Sequence, residues 1–223
     1  VNEHSKDLAD HLLKGNEKEA MKLINTYQCK YPGISIFEDL ITPAMYYIGE
    51  LWEHNKISVA DEHLATAVCD MIISQLSILS EGTESNQKIM LLGLEEEQHY
   101  LGLRMVGIVF KKHGWDVKYL GPNLPLGHML NFIDVWKPDV VGVSVALPYR
   151  LPTLIKYVES LEELHSPPQI LVGGRMAEKI ARIDHIQSDY LHIMNNLTMV
   201  ENWIQERNTE TREEKEFNGI STK

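Results

Sequence analysis

Two rhythms divide the chain. From residue 1 to about 80, apolar positions such as Phe37, Leu40, Ile41, Met45, Ile48 and Leu51 recur mostly at spacings of three and four. That spacing lays an apolar stripe along a helix. It predicts helices over residues 5–14, 16–29, 34–52 and 58–80, packed as a four-helix bundle, with Pro43 placed to kink the third. Ser58 followed by Asp61 predicts a capping-box start for the last helix, and the polar run over residues 80–87 reads as a linker. From residue 88 the rhythm changes. Short apolar runs at 88–94, 116–120, 140–145 and 169–172 alternate with helical patterns at 99–113, 126–136, 151–164 and 176–182. Strands apolar on both faces and separated by helices of that length predict a parallel sheet covered on both sides, an α/β domain over residues 88–206. The charged, apolar-poor stretch 207–223 reads as a frayed helix end or a disordered, solvated tail.

Composition narrows the function classes. The chain has 223 residues, 43% of them hydrophobic, which is enough for two modest domains. It has no apolar run near the twenty residues that a membrane helix needs. Neither end reads as an export signal, and Cys29 and Cys69 have no closely spaced partner, as expected for reduced thiols in the cytoplasm. A net charge of -11 argues against a nucleic-acid surface, because duplex binding rests on neutralising phosphates with Lys and Arg.

The candidate chemistry starts where the first strand ends. Glu97-Gln98-His99-Tyr100-Leu101-Gly102 follows the run Lys88–Leu94, at the sheet edge where open α/β folds bind ligands. An acid two residues before an imidazole suits a metal-bound histidine oriented by a carboxylate. Gly102 leaves room for a bulky group. One histidine among ten is by default an ordinary surface or core residue. Its company singles His99 out: Ser144-Val145-Ala146-Leu147 ends the third strand, and Gly173-Gly174 ends the fourth. Glu95 and Glu96 could mimic the acid pair of a response-regulator receiver. That reading needs an aspartate at the end of strand three, where Ser144 stands.

With E-x-H-x-x-G, Ser144 to Leu147 and Gly-Gly in this order, residues 88–206 resemble the cobalamin-binding domain family, which has a flavodoxin-like (Rossmann-like) fold. Its pattern is D-x-H-x-x-G, S-x-L and G-G. The resemblance implies that His99 ligates cobalt from below, with the cofactor base-off, and that Glu97, standing in place of Asp, orients the imidazole. Gly102 would open the channel for the nucleotide tail, Ser144 would hydrogen-bond near the buried base, and Leu147 would pack against it. Gly173 and Gly174 would wall the tail without side chains. Strict S-x-L spacing from Ser144 lands on Ala146.

The bundle carries a second signature. Trp52 is followed, after nine intervening residues, by Glu62-His63. This W-x9-E-H spacing resembles that of the adenosylcobalamin-dependent photoreceptors related to the CarH regulators. There the resemblance implies that Trp52 covers the adenosyl group, that Glu62 and His63 make polar contacts to it, and that Val59 is an apolar neighbour. Where those regulators have a histidine directly after the tryptophan this chain has Glu53. His54 would project about 100° further round the helix, leaving water, His63 or no ligand for the upper position. Those regulators also carry a DNA-binding domain before the bundle. This chain begins at the bundle, so its output is expected to pass through a separate protein effector or a change in a homo-oligomer, dimer or tetramer.

The expected function is a cobalamin-binding light sensor, not itself an enzyme, that holds adenosylcobalamin and signals through loss of its adenosyl group. The rival is a corrinoid methyl carrier serving a methyltransferase, in which Trp52 would be a core residue. Binding of a linear tetrapyrrole as well is a third alternative that no motif here requires.

Overall fold

The computed structural model describes residues 1–78, 85–180 and 188–220, with side chains described as far as Thr209. The first five residues of the expected linker, the last two positions of the helices expected at 58–80 and 176–182, and the last three residues of the tail lie outside this set. The chain divides into two compact units, Val1–Ser80 and Glu81–Lys223.

The first unit is helical. It comprises α1 (Glu3–Leu13), α2 (Glu17–Lys30), α3 (Thr42–Glu53) and α4 (Val59–Ile78). The single helix expected at 34–52 is instead a π-helical turn, Ile36–Ile41, running directly into α3. The helix continues through Pro43, which has no N–H to give, and Asp39 O, the carbonyl four residues before it, accepts instead from Asn2 Nδ2 at 2.8 Å and Ser5 Oγ at 3.1 Å. Leu8, Leu12, Ile24, Leu40, Ile41, Ile48, Ile72 and Ile73 are fully or almost fully buried and form the bundle core. Cys69 lies in that core, and burial pushes its thiol up to about 12.

The corner between α3 and α4 is closed from both sides. Asn55 has φ 53°, Asn55 N–H donates to Trp52 O at 2.9 Å, and Lys56 N–H donates to Leu51 O at 2.8 Å. These bonds make a Schellman cap. At the start of α4, Ser58 N–H donates to Asp61 Oδ2 at 2.8 Å and Asp61 N–H donates to Ser58 Oγ at 3.3 Å, the reciprocal bonding of the expected capping box.

The second unit contains five parallel strands in the order β2-β1-β3-β4-β5. They are β1 (Lys88–Leu94), β2 (Asp116–Leu124), β3 (Val140–Ser144), β4 (Gln169–Gly173) and β5 (Leu191–Ile193). The intervening helices are α5 (Leu101–Lys112), α6 (Leu126–Trp136), α7 (Leu151–Glu162), the short α8 (Ala177–Ile180) and the final α9 (Leu197–Ile220). Met90 and Leu92 of β1 pack with Met129, Ile133, Leu154 and Tyr157 of α6 and α7. Leu91, pointing the other way, approaches Gly107 of α5, so both faces of the sheet are covered. This order places β1 beside β3 at the point where the chain reverses its progress across the sheet, the crevice that binds ligands in such folds.

Two elements were not anticipated. β5 has only three residues, all half-buried, at the sheet edge. α9 runs to Ile220 through much of the expected tail, and its first turns dock on α5 through Phe110, Trp115 and Trp203, whose ring centroids are 5.0–6.4 Å apart. Ile204 of α9 is fully buried. Ile204→Ala should therefore lower stability by about 2–5 kcal/mol in urea unfolding; a loss below about 1 kcal/mol would show that α9 is not part of this core.

Candidate functional site

The residues singled out in the second unit gather at the carboxyl edge of the sheet. Ser144 is in register with Gly93 of β1 on one side and with Gly173 of β4 on the other. Glu97 and His99 lie in the connection from β1 to α5, and Gly102 lies in the first turn of α5.

Glu97 is the centre of this arrangement, with no solvent exposure. Its Oε1 accepts from His99 N–H at 3.0 Å and faces His99 Nδ1 at 2.6 Å, while its Oε2 accepts from Ala146 N–H at 2.8 Å. A carboxylate only accepts, so the short contact requires the proton to be on Nδ1. Neutral His99 then keeps a lone pair on Nε2. None of the described residues hydrogen-bonds that nitrogen, and the His99 side chain is 44% exposed. Burial raises the pKa of Glu97, but hydrogen bonds from the His99 ring and from the Ala146 and His99 N–H groups outweigh it, taking the carboxyl from 4.5 down to about 2. The methylene that Glu adds over Asp is accommodated by this reach across to β3.

Of the other edge residues, Ser144 leaves a hydroxyl and Gly102 an open space, while Gly174 is held close to the backbone after β3. Ser144 is 8% exposed, and its hydroxyl has no partner among the described residues. A Cβ at Gly102 would meet nothing within 4 Å. Gly174 has φ 101°, and a Cβ there would stand 2.3 Å from Val145 O, so only glycine fits. Leu147 is half-buried at the turn after β3. Sequence reasoning gave Ala146 no role, although its backbone N–H is what ties Glu97 to β3; a main-chain donor leaves no side-chain signal to read. An imidazole with a free lone pair, a serine hydroxyl that no described residue engages and the open space beside Gly102 can together receive a corrinoid.

In the first unit, Trp52, Val59, Glu62 and His63 share the capped α3–α4 corner. Trp52 is 47% exposed and Val59 56%. Glu62 Oε1 accepts from Thr66 Oγ1 at 2.8 Å, and its Oε2 lies 3.7 Å from His63 Nε2. His54 caps α3, with Nδ1 2.7 Å from Glu50 O.

Comparison with known proteins gives the class. Two family models, each described as a B12 binding domain, match residues 5–77 and 87–190. The chain belongs to the B12-binding proteins. Among its relatives, the HTH-type transcriptional repressor CarA of Myxococcus xanthus is 26% identical over 158 residues, 70% of this chain and 54% of the repressor. The match thus spans about half of that relative's length. CarH of the same organism is 29% identical over 115 residues, 51% of this chain and 38% of CarH. Dimethylamine corrinoid protein 3 of Methanosarcina acetivorans is 22% identical over 187 residues, 82% of this chain and 87% of that protein. The fold is that of the Methanosarcina barkeri monomethylamine corrinoid protein, with a TM-score of 0.74 at 16% identity, covering 92% of this chain and 98% of that one. Among the described residues no helix is long and apolar enough to cross a membrane.

A depressed carboxyl pKa stabilises the folded state above the unfolded value, and that stability is lost as pH falls through the folded value. The stability advantage of the wild type over Glu97→Gln should therefore be full above about pH 5 and shrink progressively toward pH 2, read from urea midpoints. A difference independent of pH over that range would contradict the bonding described for Glu97.

Proposed function

We propose that this B12-binding protein is a light sensor that holds adenosylcobalamin base-off, with His99 as the lower cobalt ligand. The reading is carried by the exposed indole of Trp52 at a rigid corner, with the Glu62 carboxylate and the His63 imidazole at the start of the adjoining helix. A large planar aromatic excludes water from whatever it covers, and a carboxylate beside an imidazole can hydrogen-bond ribose hydroxyls and adenine nitrogens. Similarity to CarA and CarH supports it.

In this reading Glu97 keeps the proton on Nδ1 so that Nε2 donates to the metal, and Ser144, Leu147, Gly102, Gly173 and Gly174 receive the nucleotide tail. Trp52 and Val59 cover the adenosyl group, while Glu62 and His63 bond its polar edge. When bound, adenosylcobalamin supplies a weak carbon–cobalt bond that visible light can break. After loss of the adenosyl group, Trp52, Glu62 and His63 have different contacts from before. That difference biases the bundle toward a second conformation, since a ligand shifts an equilibrium only through contacts that differ between states. A change in a homo-oligomer or release of a separate protein effector would carry the signal.

A second reading, a corrinoid methyl carrier for a partner methyltransferase, is favoured by the match that covers 87% of the dimethylamine corrinoid protein. A carrier needs its upper face open to the partner enzyme, which a tryptophan lid obstructs. The protein loaded with adenosylcobalamin in darkness should lose the adenosyl group irreversibly under green light in air, with dioxygen oxidising the resulting cob(II)alamin to a cob(III)alamin spectrum. Trp52→Ala should weaken adenosylcobalamin relative to hydroxocobalamin by about tenfold, the size expected for removing an aromatic anchor. A light-stable spectrum with methyl transfer to a partner would favour the carrier. Equal weakening of both cobalamins would remove Trp52 from the adenosyl site.

A further inference from the structure

The residues between β1 and Glu97 are tied to three different elements. Glu95 N–H donates to the Tyr157 hydroxyl at 3.4 Å, and that hydroxyl donates to Leu124 O at 2.6 Å, joining α7 to the ends of β1 and β2. Glu96 N–H donates to Asn123 Oδ1 at 2.7 Å, and Asn123 N–H donates back to Glu97 O at 3.0 Å. Glu96 and Asn123 both adopt left-handed backbone, with φ 61° and 55°. L-residues hold that conformation when the surroundings over-determine it. On the opposite flank Arg150, in the turn after β3, pairs its Nη1 with Glu96 Oε2 at 2.5 Å and lays its guanidinium 5.0 Å from the Tyr149 ring centre.

The sequence pays for this with an irregular β2. Its register against β1 slips twice, and a Cβ on Gly93 would stand only 3.1 Å from Pro122 Cα. The bulged strand therefore lies against the end of β1 and delivers Asn123 to Glu96.

We propose that Tyr157, Asn123 and Arg150 are positioning residues that brace the Glu97–His99 loop across the crevice, so that His99 Nε2 is presented in one orientation. The proposal rests on the reading of His99 as the cobalt ligand. The bond from Ala146 to Glu97 fixes one point of the loop but leaves rotation about it. The ties at Glu95 and Glu96 remove that freedom, because they fix the two preceding residues from α7, β2 and the β3 turn. The three ties differ in weight. The Tyr157 ring is 1% exposed, so losing its hydroxyl strands Glu95 N–H and Leu124 O without a partner. The Glu96–Arg150 pair is 67% and 19% exposed at its two side chains and contributes less.

The test uses the full chain grown with 15N-histidine, loaded with hydroxocobalamin, reduced to the cob(II) state in darkness and measured by electron paramagnetic resonance. A 15N histidine on cobalt splits each line into a doublet, whereas the cofactor's own 14N base gives a triplet. The wild type should give the doublet. Tyr157→Phe and Asn123→Gly should mix it with a histidine-off signal and raise the hydroxocobalamin dissociation constant about threefold to tenfold, with a smaller rise for Arg150→Met. Asn123→Gly keeps the left-handed backbone, and Arg150→Met lies near the surface, so the brace is tested even where Tyr157→Phe lowers folding stability. Glu95→Gln removes a neighbouring charge without touching a tie and should match the wild type. An unchanged doublet and constant in all three variants, or an equal loss in Glu95→Gln, would overturn the brace alone. A wild-type spectrum lacking the doublet would overturn the histidine ligand and the brace with it.

Discussion

A buried carboxylate on a ring nitrogen is the constraint on which the rest of the site depends. Glu97 is charged and without solvent exposure, a placement that is unfavourable unless hydrogen-bond donors meet the charge. Two backbone N–H groups and one imidazole N–H meet that demand, and each does structural work in return. The Ala146 N–H joins the loop after β1 to the end of β3, the His99 N–H curls the chain toward α5, and the ring N–H sets the tautomer. The same three bonds that make the buried charge tolerable leave the lone pair on Nε2 of a half-exposed ring. Fold and chemistry are one arrangement here, since the sheet order that sets β1 beside β3 is what brings Ala146 within reach.

Much of this was legible because it is local. Lys88–Leu94, Val140–Ser144 and the run ending at Gly173 are apolar on both faces, as central parallel strands must be, and E-x-H-x-x-G compresses the acid, the imidazole and the space beside them into six residues. The Ser58–Asp61 cap was readable for the same reason. What escaped was short, composite or distant. β5 has three half-buried residues and no periodicity to detect, and α9 hides its docking face, Trp203 and Ile204, in front of a charged stretch. The π-helical turn before Pro43 is a backbone feature that the apolar spacing does not encode. The partners of Glu95 and Glu96 lie 62, 27 and 54 residues away, so only the topology reveals them.

The helical unit presents a different physical situation. Its core is closed by aliphatic side chains, yet Trp52 and Val59 remain outside it at a corner held rigid by the Schellman cap on one side and the Ser58–Asp61 box on the other. Rigid backbone under an exposed aromatic is the preparation expected of a contact surface, because little conformational freedom remains to be lost on binding. The Glu97–His99 loop shows the same economy: left-handed backbone at Glu96 and Asn123 is accepted beside the proposed ligand.

The most direct test is the tautomer of His99 in the cofactor-free protein, read from the 15N shifts of its two ring nitrogens at neutral pH. A protonated Nδ1 with an unprotonated Nε2 is the predicted result, and it means that the lone pair is set by Glu97 before any cofactor arrives. A proton on Nε2, or rapid averaging between the two nitrogens, would contradict the account at its centre.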